Sequence, residues 1–163
     1  MASALHGVVR STLGADMIAE IHLPQISSLV KELGDDFYAD EEMIRDAIIH
    51  HSSFNLIHLV TMFKVDVFIL KERPFDRAQF QRWVEQLLTT NPEQKAFMTT
   101  AEDIILAKLE WYRLGNEISD RQWRDILGVL KVQAGRLDMD YLRKWAVELN
   151  VADLLQRALT ESE

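Results

Sequence analysis

The chain has 163 residues, 48% of them hydrophobic and 27% charged, with a formal net charge of -8 and no cysteine. That length suits one domain able to bury roughly two thirds of the surface its unfolded form exposes, so a packed core needs no staples. The missing cysteines exclude disulfides, thiolate zinc sites and cysteine nucleophiles and fit a reducing cytoplasm, while the acidic balance argues against an extensive nucleic-acid surface built on Lys and Arg.

The N-terminus lacks a basic region followed by an apolar one, and the longest apolar run, residues 65–70, is short and broken by Asp66. No membrane or secretory route is therefore expected. In chain order, residues 2–7 predict a short helix closed by Gly7, and residues 16–22, D-M-I-A-E-I-H, a strand. Pro24 suits a first helical position, and Ile26, Leu29, Val30 and Leu33 repeat with helical spacing up to Gly34, a left-handed stop. Asp40 is a candidate N-cap for a helix with Met43, Ile44, Ala47 and Ile48 on one stripe.

Residues 54–60 and 63–70 are rich in branched and aromatic side chains with Thr61 and Met62 between them, the pattern of an antiparallel hairpin. Asp76 is then expected to cap a helix carrying Phe80, Trp83, Val84 and Leu87, ending before Asn91, with a short strand near residues 95–98. Beyond Thr99 the pattern is helical. Thr99 with Glu102, and Ser119 with Gln122, have capping-box spacing, and Asp138 can cap a further helix, giving a bundle of about four helices with residues 160–163 as a free tail. Trp123 and Trp145 fall on the same stripes as leucines, which favours core packing over a base-stacking platform. Arg121, Arg124, Lys131 and Arg136 are interleaved with acids and read as a solvated helix face.

The sharpest local oddity is Asp66 inside the apolar strand K-V-D-V-F-I-L, where alternation places Lys64, Asp66 and Phe68 on one face. A carboxylate there needs a partner: Lys64, a more distant base, or a cation. Asp16 stands after the polar turn R-S-T-L-G of residues 10–14. Two carboxylates on adjacent strands beside a turn rich in hydroxyls and amides have the makings of a Mg²⁺ site for a nucleoside triphosphate. His50 and His51 point in different directions on a helix, and a zinc site built from them is not expected.

The opening M-A-S-A-L-H-G-V-V-R-S-T-L-G-A-D-M-I-A resembles the start of bacterial nucleotidyltransferase-fold proteins, where an Arg-Ser-Thr turn leads into a strand bearing aspartate, any residue, aspartate. F-K-V-D-V-F-I-L at residues 63–70 is similar to the strand supplying the third carboxylate. T-A-E-D-I-I-L-A-K-L-E-W-Y from Thr100 and S-D-R-Q-W-R-D-I-L-G-V-L from Ser119 resemble helices of the branch that includes abortive-infection type toxins. The resemblance implies an α+β fold, a small twisted mixed sheet flanked by helices with a C-terminal helical bundle, divided into a core over residues 1–98 and a helical region over 99–160.

It further implies Mg²⁺- or Mn²⁺-dependent transfer of a nucleotide from an NTP to a hydroxyl, with Asp16 and Asp66 as catalytic metal ligands. Ser3, Arg10, Ser11, Thr12, Lys108 and Asp125 become substrate-binding candidates. Lys108 competes with a snorkelling role, and Asp125 with a pair to Arg121 at helical spacing. The family's first aspartate falls on Gly14, and its glycine–serine pair, with the strand and helix before it, would lie before Met1. Those departures imply impaired transfer, or a catalytically inactive binding protein such as a toxin–antitoxin or regulatory partner. A missing edge strand would also leave backbone groups open to pairing with another chain, hence a possible homodimer.

Overall fold

A computed structural model describes residues 14–90 and 92–162. The chain is α+β and divides into two compact units, with the boundary after Arg77.

The first unit begins with strand β1 (Gly14–Ala19), followed by a 3-10 turn (Leu23–Gln25) that runs into helix α1 (Ile26–Leu33). A second 3-10 turn (Gly34–Asp36) leads to the short strand β2 (Phe37–Tyr38), helix α2 (Glu41–His50) and strands β3 (Ser53–His58) and β4 (Phe63–Ile69). The strand expected at 16–22 is already paired with β4 at Gly14, the first described residue, opposite Lys64, and it stops at Ala19. Asp40 caps α2 as expected, its carboxylate accepting from the Met43 amide at 2.8 Å. Gly34 ends α1 at φ 57 and ψ -152. Its φ is positive as foreseen, but its ψ lies outside the left-handed helical basin.

The four strands form a mixed sheet in the order β1-β4-β3-β2. β1 runs parallel to β4, whereas β4 with β3 is the expected antiparallel hairpin and β3 pairs antiparallel with β2. Alternation along the strands sorts the two faces. Phe54, Leu56, Val67 and Ile69 lie on one face and are buried with Ile26 of α1 and Ile44 and Ala47 of α2. Asp16, Asn55, Lys64 and Asp66 belong to the opposite face.

Helix α3 (Pro74–Gln81) passes through the boundary into the second unit. Two strands, β5 (Val84–Thr90) and β6 (Glu93–Met98), follow as an antiparallel hairpin with a register shift between Leu87 and Thr89. The helix foreseen through Leu87 therefore stops at Gln81. The 3–4 spacing of Phe80, Trp83, Val84 and Leu87 fits a helix, but from Val84 the chain pairs with β6 instead, and Trp83, just before the strand, stacks on Phe97 at 4.8 Å. Asp76 is not the cap either: Pro74 opens the helix, and Asp76 in its first turn accepts from the Arg73 guanidinium at 2.6 Å.

Four helices complete the unit: α4 (Ala101–Leu114), α5 (Asp120–Val132), α6 (Met139–Glu148) and α7 (Ala152–Ser162). The cap of α4 is Thr100, one residue later than expected, and its hydroxyl meets the Asp103 amide. Ser119 and Asp138 cap α5 and α6 as foreseen. Ile105, Leu109, Ile126 and Leu142 are fully buried between the helices, and Trp123 and Trp145 join them. Residues 160–162 are not a tail. They form the last turn of α7, where Glu161 accepts from the Trp123 indole at 2.7 Å.

Candidate functional site

Asp16 and Asp66 are brought together by backbone pairing alone. In the parallel register of β1 and β4 their Cα atoms are direct partners, so both side chains leave the same face about 4.8 Å apart along the hydrogen-bonding direction. On the other side of β4 the partner of Asp66 is Asn55, which extends the row to three strands. Asn55 was missed by reading motifs along the chain, because register across a hairpin puts it there. The signal was the odd-numbered polar position in S-F-N-L-I-H, opposite K-V-D-V-F.

The next row bears on position 14. Gly14 pairs with Lys64, and a Cβ placed on Gly14 would stand 2.9 Å from the Lys64 carbonyl oxygen. An aspartate at that position, as the family pattern has it, would require β1 and β4 to move apart. Lys64 and Asp66 are two residues apart on one strand face, and the Lys64 ammonium meets Asp66 Oδ1 at 2.8 Å. Of the partners foreseen for Asp66, the neighbouring lysine pairs with it.

Two carboxylates and an amide suit one hard cation completed by phosphate oxygens and water. They do not supply the three carboxylates of a two-ion site. Among the described residues no group of three or more His, Cys, Asp or Glu is placed to hold a metal.

Lys108 of α4 and Asp125 of α5 face each other in the second unit, with Nζ 3.5 Å from Oδ2 and both side chains largely buried. Arg121, the other partner foreseen for Asp125, is exposed. Arg124, Lys131 and Arg136 are exposed as well, as a solvated face requires. Ser3, Arg10, Ser11 and Thr12 lie outside the described residues.

A second polar centre lies at the start of α4. Asp103 is buried, and its oxygens accept from the Tyr141 hydroxyl at 2.6 Å and from the Thr100 hydroxyl at 2.7 Å. Arg82 reaches toward Glu102, Asp103 and Asp138 at 3.6, 3.8 and 3.9 Å and lays its guanidinium over the Tyr141 ring at 3.6 Å. Burial pushes the Asp103 carboxyl above its ordinary value, against the pull of the two hydroxyls and Arg82. Burial and the neighbouring carboxylate together push the Tyr141 phenol up. The sequence flags Asp103 only as an acid in the first turn of a helix. Its burial follows from α6 closing over it, which local pattern does not encode.

In comparisons with known proteins, the chain matches no family model, and neither curated proteins nor solved structures resemble it significantly.

Proposed function

We propose that the protein is nucleotidyltransferase-like: it holds a nucleoside triphosphate at the row of Asp16 and Asp66 and transfers the nucleotide, slowly, to a hydroxyl acceptor. The observation that carries this reading is the direct register pairing of the two aspartates on adjacent parallel strands. In the transfer the acceptor oxygen bonds the α-phosphorus, its proton passes to solvent, and pyrophosphate leaves. A divalent cation, Mg²⁺ or Mn²⁺, would neutralise phosphate charge during this exchange. Asp16 and Asp66 would ligate it, and Asn55 offers an amide beside Asp66 to fix the carboxylate or meet the ligand. The absent carboxylate at Gly14 removes part of that electrostatic support, and loss of one preorganised group costs about 3 kcal/mol of barrier.

A second reading keeps binding without turnover, as in a regulatory or toxin–antitoxin partner. It is favoured by the tight approach of Gly14 to the Lys64 carbonyl, which leaves no room for the missing ligand. Thermal unfolding with each NTP, with and without Mg²⁺, tests both. Ligand at about a hundred times its Kd adds roughly 2.7 kcal/mol, several degrees for a chain this size. A Mg²⁺-dependent shift that disappears in Asp66→Asn supports the site. Product formed on screening acceptors then selects transfer, and a shift without product selects binding. No shift with any NTP removes transfer and leaves the binding reading with a protein as its partner, which partner capture then tests.

A further inference from the structure

Lys64 is the one cation paired with the aspartate row among the described residues, and its position constrains what the row can accept. Its ammonium stands 2.8 Å from Asp66 Oδ1, with the lysine side chain 48% and the aspartate 32% exposed. Its Cα lies between Gly14, which has no side chain to offer, and Ile57, which is apolar. Among the described residues the long stem therefore has no second polar anchor in its own row, and the pair with Asp66 is what holds it. Two aspartates against one lysine give the row a formal charge of one negative unit.

A bare divalent cation approaching Asp66 finds the ammonium already seated on Oδ1, so whether it takes Oδ2 or shares Oδ1 it faces that ammonium at close range. Like charges so near each other repel strongly even with partial solvent screening. A triphosphate chain changes the balance, because its oxygens offer the ammonium a new partner. Lysine suits this exchange, being a compact charge with three donors on a flexible stem.

Resting on the reading that Asp16 and Asp66 hold a divalent cation with a triphosphate, we propose that Lys64 is a resident counter-cation: it keeps bare metal off Asp66 and swings to the phosphate chain when a metal–triphosphate complex arrives. The site accordingly takes the complex and rejects the metal alone. Lys64 stands in for part of what a carboxylate-bound second ion does elsewhere, which is to neutralise phosphate charge, and it needs no ligand at position 14.

The test is a Mn²⁺ titration followed by electron paramagnetic resonance on wild type, Lys64→Met and the double variant Lys64→Met/Asp66→Asn. Lys64 is half exposed, so the substitution leaves the core intact. Lys64→Met should bind Mn²⁺ alone about tenfold or more tighter than wild type, the size expected for removing an adjacent, partly screened charge, and the added Asp66→Asn should cancel the gain. Thermal shifts with Mg²⁺–tripolyphosphate and Mg²⁺–NTP separate the phosphate chain from the nucleoside as the partner of Lys64. An equal loss of stabilisation for both complexes in Lys64→Met supports the proposal, and a loss confined to the NTP overturns it.

Unchanged Mn²⁺ affinity in Lys64→Met, with wild type still stabilised by Mg²⁺–NTP, overturns the role of Lys64 and leaves the nucleotide site standing. If no form responds to Mn²⁺ or to Mg²⁺–NTP, the site and the inference fail together.

Discussion

Asp103 shows at the scale of one residue how the second unit tolerates a charge in its interior. Two hydroxyls donate to the carboxylate and Arg82 stands 3.8 Å away, yet burial still raises its pKa. A carboxyl whose pKa is higher in the folded than in the unfolded state favours the fold when protonated. Its contribution is fully present below the ordinary value of 3.8 and is lost as pH rises through the raised folded value. Asp103→Asn carries no such proton, so the stability of wild type minus that of the variant should fall as pH climbs from about 4 toward neutrality. Chemical denaturation across that range measures it, and a difference that stays flat or rises would show that the group is not held in this way. Gly14 makes the complementary point for the first unit, because a single close approach to a carbonyl limits which side chains fit in the row next to the aspartates.

At the scale of elements, the last turn of α7 offers a direct check. Glu161 accepts from the Trp123 indole and pairs with Arg157 at 2.8 Å, and these donors hold its carboxyl below the usual range. Removing residues 160–163 should cost about 1–3 kcal/mol in urea denaturation, the size of a lost charge-assisted hydrogen bond that leaves a donor behind. Deletion of a true tail would cost nothing measurable. That turn escaped the sequence reading because its polar composition, T-E-S-E, looks like an end, and the bond that orders it comes from a residue 38 positions away.

What was legible follows the same rule. Helices with a cap and an apolar stripe, such as those begun by Asp40, Ser119 and Asp138, are specified within about a dozen neighbouring residues, and they form as expected. So does the hairpin of β3 and β4, whose strands adjoin in sequence. The segment after Gln81 differs from the helical reading because Trp83, Val84 and Leu87 satisfy a helical period by chance, while the β6 residues that pair with Val84 and Leu87 lie beyond a turn. In the aspartate row, Asp66 was visible as a charge in an apolar strand. Asn55 was not, since its place depends on cross-strand register.

At the scale of the whole molecule, the polar residues singled out by sequence divide between two compact units: Asp16 and Asp66 belong to the first, Lys108 and Asp125 to the second. Each pair is complete within its unit, by strand register in one case and by an ion pair between α4 and α5 in the other. Neither needs the other to explain why it is formed. The central claim therefore rests on the mixed sheet, on the face that carries Asp16, Asp66 and Asn55.

The measurement that tests it most directly is a two-dimensional amide NMR spectrum recorded while a Mn²⁺–NTP complex is added in small amounts, because the paramagnetic ion broadens signals only near where it sits. The amides of Asp16, Asp66 and Asn55 should broaden first, and the effect should vanish in Asp66→Asn. Broadening that spares those three residues, or that centres instead on the acids around Arg82, would contradict it.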